Sequence, residues 1–452
     1  MSRSKAANEI DMINGSMLPK IFLFALPLAG SGILQRLFNT ADVMVLGQFV
    51  GSRAIAAVGS TGSITSLLIG LFMGLSVGVN VTVASGYAQG KDDFVSKSVH
   101  TAISISLIAG VIMAVIGYFF ADPILIAMGN PDDVRPMAVT YMQIYFLGMP
   151  FILLYNFGSA ILRSVGDTKR PLYYLFVSGV INVILNLILV LVFDMGIAGV
   201  AIATVMSFVI SSLLVLRALS REQSSLHFEL KKLSIDKKSL KRISVIGLPA
   251  GIQGMLFDIS NVVVQSSFNS LGSVIMAGNS AAGNLDGLQY AAMNAVSQAA
   301  VSFASQNYGA KKYKRVDGVI INGFIVSLTV SAFFCITYRL FGNTLLRLYT
   351  TEPDVLEIGY KKLMMWSLCY FLVGLYEVVN NTLRGLGKSV IPLIISIVCT
   401  IGFRMLWVFT VFRANRTFYS LIMVYPLSWL LNLIAALAAY FLIRKKQFED
   451  YS

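Results

Sequence analysis

Twelve apolar stretches, each near the ~20 residues that cross a bilayer, succeed one another along this chain. Polar breaks and Pro/Gly punctuation predict helices at about 18–47, 54–86, 97–121, 137–163, 171–193, 196–217, 242–269, 275–307, 315–341, 358–383, 390–412 and 417–443. Only 13% of residues are charged and 56% are hydrophobic, against about 25% charged in a soluble domain. The expected class is an all-α polytopic membrane protein with twelve transmembrane helices. The first span holds Arg36 and Asp42 and has no small-residue cleavage site, so it is expected to be retained.

The net charge of +13 follows membrane topology. Lys and Arg concentrate in one alternate set of connections, which by the positive-inside rule places those loops and both termini in the cytoplasm. A plasma-membrane protein that binds lipid and no nucleic acid is expected. Cys335, Cys369 and Cys399 lie in apolar runs without metal or disulfide spacing. His100 and His227 fall beside or within basic polar loops, so no histidine is expected at mid-membrane as a metal ligand or acid-base group.

The chain repeats itself. Leu26-Pro27, Gly32 and Asn39 recur 222 residues later as Leu248-Pro249, Gly254 and Asn261. After a one-residue slip, Gly51, Tyr87, Lys91, Leu162-Arg163, Gly166 and Pro171 recur 221 later as Gly272, Tyr308, Lys312, Leu383-Arg384, Gly387 and Pro392. Two six-helix lobes related by pseudo-symmetry are expected, and an even number of spans makes the repeat parallel. The expected division is a cytoplasmic segment 1–17, a lobe 18–217, a linker 218–241, a second lobe 242–443 and a cytoplasmic tail 444–452. The substrate site is expected between the lobes.

Charged groups at mid-membrane cost roughly 2.5–3.5 kcal/mol, so they usually face protein or a wet cavity. In the first span Arg36, Asn39 and Asp42 lie on one side of a helix. Asp258, Asp286 and Glu377 are the acids inside spans of the second half, and Asp258 aligns with Arg36. These acids bind or exchange ions, or else close interhelical ion pairs such as Arg36 with Asp42. Asn182 and Asn186 share a helix face four residues apart. Their amides offer oxygens to a monovalent cation or act as interhelical glue. Thr204 adds a hydroxyl or bonds its own backbone. Gln35, Asn39 and Asn156 are candidate polar cavity contacts. Phe257, Tyr290, Met293, Tyr376 and Trp366 would line a cavity for a flat apolar solute or simply pack. Arg163 and Arg384, at helix ends, are expected to cap helices or anchor in lipid, with gating as the other role.

The polar first helix with its LPL, Asn39 and Asp42, the VLGQFVG glycine, LRSVGDTKRP and its partner LRGLGKSVIP, and INVILN with GVAIAT together resemble the multidrug and toxic-compound extrusion (MATE) family, nearest its DinF-like branch. The resemblance covers nearly the whole chain. It implies twelve helices in two lobes, a first-helix acid at Asp42 that binds a coupling ion, a fifth-helix amide at Asn182, a sixth-helix hydroxyl at Thr204 and a second-lobe acid at Asp258. Asn186 stands where many relatives carry Asp, which leaves the choice of proton or sodium open. No metal is expected beyond a Na+ at Asp42.

Gly387-Lys388-Ser389 imitates the end of a phosphate-binding loop, but Thr382 replaces the required glycine. No enzyme and no cofactor are expected; the coupling ion is H+ or Na+. The expected activity is a monomeric secondary antiporter exporting amphipathic cationic organic compounds, with Asp42, Asn182, Asn186, Thr204 and Asp258 coupling the ion. Gln35, Arg36, Asn39, Asn156, Asp286, Tyr290, Met293 and Glu377 are the expected cavity residues. The alternatives are a lipid-linked saccharide flippase, which has only Arg36 and Arg404 to meet a pyrophosphate, and a membrane receptor without transport, for which no output domain stands out.

Overall fold

The computed structural model describes residues 9–448. The chain forms twelve helical rods: α1 (Leu18–Phe49), α2 (Ser52–Ala88), α3 (Asp92–Ala127), α4 (Arg135–Leu147 and Met149–Ser164), α5 (Lys169–Val192), α6 (Gly196–Ser220), α7 (Lys237–Asn269), α8 (Ser273–Gly309), α9 (Tyr313–Leu346), α10 (Pro353–Cys369 and Phe371–Gly385), α11 (Val390–Phe412) and α12 (Phe418–Phe448). All twelve expected helices exist, most of them longer than the apolar stretch that announced them. Nine are long and apolar enough to span a membrane among the described residues, and the bent pairs α4 and α10 bring the number to eleven. The twelfth, α8, falls outside that set. It carries Asn279, Asn284, Asp286, Gln289, Asn294 and Gln298 along its length.

α4 bends by 47° at Gly148-Met149-Pro150, where the proline ring removes a backbone donor. Opposite the bend, a Cβ on Gly110 of α3 would lie 2.3 Å from Pro150 Cα. Only glycine lets these two backbones approach so closely. α5 and α11 each change to π-helical winding partway, at Ile188–Val192 in α5 and at Ser396–Gly402 and Val408–Phe412 in α11.

The chain divides into two compact units, one containing Gly30–Gly247 and the other Asp11–Ala29 with the chain from Leu248 on. This differs from the lobes expected at 18–217 and 242–443. The divisions fall inside α1 and α7, beside Pro27 and Pro249, and not in the polar connection. Packing explains the difference. At the start of α1, Phe24 meets Phe303 edge-on at 5.7 Å, and Asn307 Nδ2 donates to the Met12 carbonyl at 3.0 Å. At the start of α7, Ser239 Oγ lies 3.0 Å from Ser98 Oγ. There Arg242 donates to Ser85 Oγ at 2.9 Å, and a Cβ on Gly78 would lie 2.3 Å from the Ile243 carbonyl oxygen.

The connection 218–241, expected as an interdomain linker, is docked onto the first unit. Leu226 and Phe228 are buried, Phe228 stacks on His100 at 5.5 Å, and the Glu229 N–H donates to His100 Nε2 at 3.2 Å. His100 is itself buried within α3 rather than held in a loop. Of the expected terminal segments, 1–8 and 449–452 lie outside the described residues.

A second polar cluster in the first unit sits between α5 and α6. Arg170 bonds Asp167 through Nε and Glu222 Oε1 through Nη1, the latter at 2.5 Å. Asp167 is fully buried and Glu222 nearly so. Glu9 Oε2 accepts from Tyr87 OH at 3.4 Å. Burial raises the carboxyl groups of both Glu9 and Asp167 above their ordinary values, and Glu222 adds to the effect on each.

Candidate functional site

Asp42 stands on α1 at the wall of a cavity of about 440 Å³ that lies wholly within the first unit, a size that suits a small organic molecule. Gln35, Phe38, Asn39, Asp42 and Val43 line it from α1, the spacing of a single helical stripe. Arg36 falls off that stripe and is exposed, so it does not line the cavity as the sequence suggested. The physical reason is the helical period: at 100° per residue Gln35 and Asp42 point almost the same way, whereas Arg36 lies about 120° from Asp42.

The Asp42 carboxylate is held by amides and a hydroxyl. Asn186 Nδ2 donates to Oδ1 at 2.5 Å, and Thr204 Oγ1 lies 3.2 Å from Oδ2. Turned so that both its ends are paired, the Asn182 amide donates to Asp42 Oδ1 at 3.0 Å and accepts from the Thr204 N–H at 3.3 Å. Asn182 and Asn186 reach the same carboxylate because four residues of α5 carry one face through a full turn. Asn186 is fully buried, and its Oδ1 finds no partner among the described residues. No cationic side chain among them pairs with Asp42, so the expected alternative of an Arg36–Asp42 ion pair does not form.

Asn39, Gln35 and Asn156 line this cavity, and Asn156 Nδ2 donates to the Ile152 carbonyl at 2.8 Å. Sequence reasoning missed Tyr141 and Tyr145, which stack at 5.9 Å on the cavity wall, together with Thr61, Thr65, Ser178 and Ser207. The four-residue spacing of the two tyrosines and the three-residue step from Thr204 to Ser207 were the available signals. Serine and threonine are common in transmembrane helices, where they bond the preceding turn, as Ser207 does to the Thr204 carbonyl at 2.7 Å.

The other expected residues lie in the second unit and do not line this cavity. Asp286, read as a cavity group, is buried 3.3 Å from the ammonium of buried Lys362, which also donates to the Asn279 carbonyl and faces the Trp366 ring at 4.2 Å. Met293 is core, fully buried. Tyr290 is partly exposed, and Glu377 accepts from Asn381 Nδ2 at 3.1 Å. Asp258 is half-buried and bonds no described side chain. Arg384, read as a cap or lipid anchor, is instead buried and donates to Asn381 Oδ1 and Gln253 Oε1, each at 2.7 Å. Those amides take its two terminal nitrogens, while its buried Nε has no partner among the described residues.

Residues 27–188 and 249–410 each match the family model MatE. The chain belongs to the MatE family. It is 32% identical to the "Probable multidrug resistance protein YoeA" of Bacillus subtilis over 384 residues, 83% of this chain and 82% of that one. It is 26% identical to the "Probable multidrug resistance protein NorM" of Thermotoga maritima, with 84% and 82% covered. A solved structure of a MOP superfamily transporter from Pyrococcus furiosus shares the fold, with a TM-score of 0.87, 20% identity and 98% of each chain covered. This MatE protein is thus a membrane-embedded transporter with the twelve-helix fold of its family, and not an enzyme.

In this MatE chain Gly179 sets the width of the cavity. A Cβ there would lie 1.8 Å from Cε2 of Phe38, a ring that forms part of the wall. Gly179→Leu is expected to drive that ring into the cavity and weaken solute binding on the order of tenfold, since overpacking costs about 1–3 kcal/mol. Dye binding by fluorescence polarisation in detergent measures it; an unchanged affinity would place the solute elsewhere.

Proposed function

We propose that this MatE protein is a secondary antiporter that exports amphipathic, cationic organic compounds in exchange for protons or sodium ions. The observation that carries the reading is the Asp42 carboxylate: it faces the cavity, neutral donors hold it in place, and no side-chain cation among the described residues balances it. A negative charge so placed in a membrane span is costly. A mobile cation, either the coupling ion or the cargo, relieves that cost.

When a proton or sodium ion neutralises Asp42, the attraction for a cationic solute in the same cavity is lost. Linkage then requires that bound solute weaken the ion by the same factor. The aromatic wall of Phe38, Tyr141 and Tyr145 suits a flat cation through its ring faces. The unpaired Asn186 Oδ1 supplies an oxygen that a sodium ion could take, and the single carboxylate suffices for a proton. Access passes from one side of the membrane to the other, as in transporters built from repeats. The names of the relatives YoeA and NorM as multidrug resistance proteins support the cargo class. The basic loops support a plasma-membrane orientation with both termini in the cytoplasm.

Ethidium counterflow in proteoliposomes, with pH and sodium gradients imposed separately, tests the reading. One of the two gradients is expected to drive uptake against the dye gradient. Equal dye flux with and without either gradient would overturn ion coupling.

A further inference from the structure

The two repeats treat equivalent positions in opposite ways. The segments that match the family model, 27–188 and 249–410, begin and end 222 residues apart. In that register Gln35, Asn39, Asp42 and Asn182 of the first unit correspond to Phe257, Asn261, Val264 and Arg404 of the second. The middle of the repeat runs at 221 as far as Pro171 and Pro392, and α11 winds as a π-helix at Ser396–Gly402, between Pro392 and Arg404. Such a turn is the local geometry that an extra residue in a helix produces. The carboxylate of the first unit is therefore replaced by a valine in the second, fully buried in the core, and the amide by a guanidinium.

The surroundings of Arg404 agree with that register. Its side chain is fully buried. Nη1 donates to Asn261 Oδ1 at 3.1 Å and Nε to Ser428 Oγ at 3.2 Å. The guanidinium carbon lies 5.1 Å from the Phe257 ring centre and 4.5 Å from that of Tyr425. Phe257 and Asn261 are the counterparts of two residues that line the first-unit cavity. No carboxylate bonds Arg404 among the described residues, and the ionisable side chains close to it are Tyr425, Tyr376 and Tyr370. Its Nη2 has no hydrogen-bond partner among the described residues. A buried charge held only by π faces and neutral oxygens is an expensive feature for a packed bundle. A structural salt bridge or an aliphatic side chain would fill the space at lower cost.

We propose that Arg404 is a tethered cation: its guanidinium permanently fills, in the second unit, the place that an exchangeable cation takes beside Asp42 in the first. The part of this assignment that concerns Asp42 rests on the antiport reading above. The part that concerns Arg404 does not, because a site shaped for a cation can be tested without transport. Phe257, Tyr425, Asn261 and Ser428 supply ring faces and oxygens, all of which attract positive charge. Emptied of its arginine, such a site takes up a free cation of the same shape.

The test uses the full-length protein with Arg404→Ala, Arg404→Lys and Arg404→Met. Thermal unfolding in detergent is followed with low-millimolar guanidinium chloride, far below denaturing strength, or with equal choline chloride. Arg404→Ala is expected to melt earlier than the parent and to recover with guanidinium but not with choline, while the parent responds to neither. In proteoliposomes Arg404→Lys is expected to keep most of the dye flux. Arg404→Met, which fills the volume without charge, is expected to lose it roughly tenfold. Where Arg404→Ala does not yield folded protein, Arg404→Met decides alone through its dye flux. Full flux in Arg404→Met, or no response of Arg404→Ala to guanidinium, would overturn the proposal. Absence of gradient-driven flux in the parent would overturn the antiport reading and leave the guanidinium rescue to decide the role of Arg404.

Discussion

Asp42→Asn is expected to abolish gradient-driven export, by ~100-fold or more in the ratio of driven to undriven flux, while the protein still reaches the membrane in normal amount. The substitution keeps the size of the side chain and most of its contacts with Asn186 and Thr204. It removes the negative charge that a coupling ion would neutralise. An amide at position 42 imitates the neutralised state permanently, so solute binding should weaken and lose its dependence on pH or sodium together. Flux of a fluorescent cation, measured with and without each gradient, reads both effects. Driven export at the parental rate would mean that the charge at position 42 takes no part in coupling.

Arg170→Met is expected to lower stability by ~3 kcal/mol or more, since removing one partner leaves uncompensated buried charge on the other. Arg170 holds Asp167 and Glu222 at once, and Asp167 has no exposure to water. The loss should be larger at pH 8 than at pH 5. Burial raises the Asp167 and Glu9 carboxyl groups above their ordinary values, so both groups take up protons in the folded state as pH falls. Neutral carboxyl groups no longer need the guanidinium. Thermal unfolding of the purified protein at the two pH values measures the difference. An equal loss at both would show that Arg170 contributes packing alone.

Helix number was legible in the sequence because each span needs an apolar run of fixed minimum length, and bundles leave little freedom in that length. The residues gathered at Asp42 were legible too: Asn182 and Asn186 repeat at one helical turn, and a carboxylate inside an apolar run has few places to go. The division into units was less visible. It falls within two continuous helices and depends on close contacts such as Gly78 with Ile243 and Phe24 with Phe303, which no polar break marks. Arg384 was misread as a helix cap because one of the amides it bonds, Gln253, comes from a separate helix 131 residues away. Arg404 entered the sequence reading only as one of two arginines available to a lipid pyrophosphate. Its neighbours lie 143 and 24 residues away, and they become apparent only once α7, α11 and α12 pack together.

The exchange of helix beginnings between the two halves of the gene product bears on its biosynthesis. The first unit lacks part of its packing until the ribosome has passed Gly247, and the second recruits Asp11–Ala29, which is made more than two hundred residues before the rest of that unit. Neither half is therefore a self-sufficient translation product.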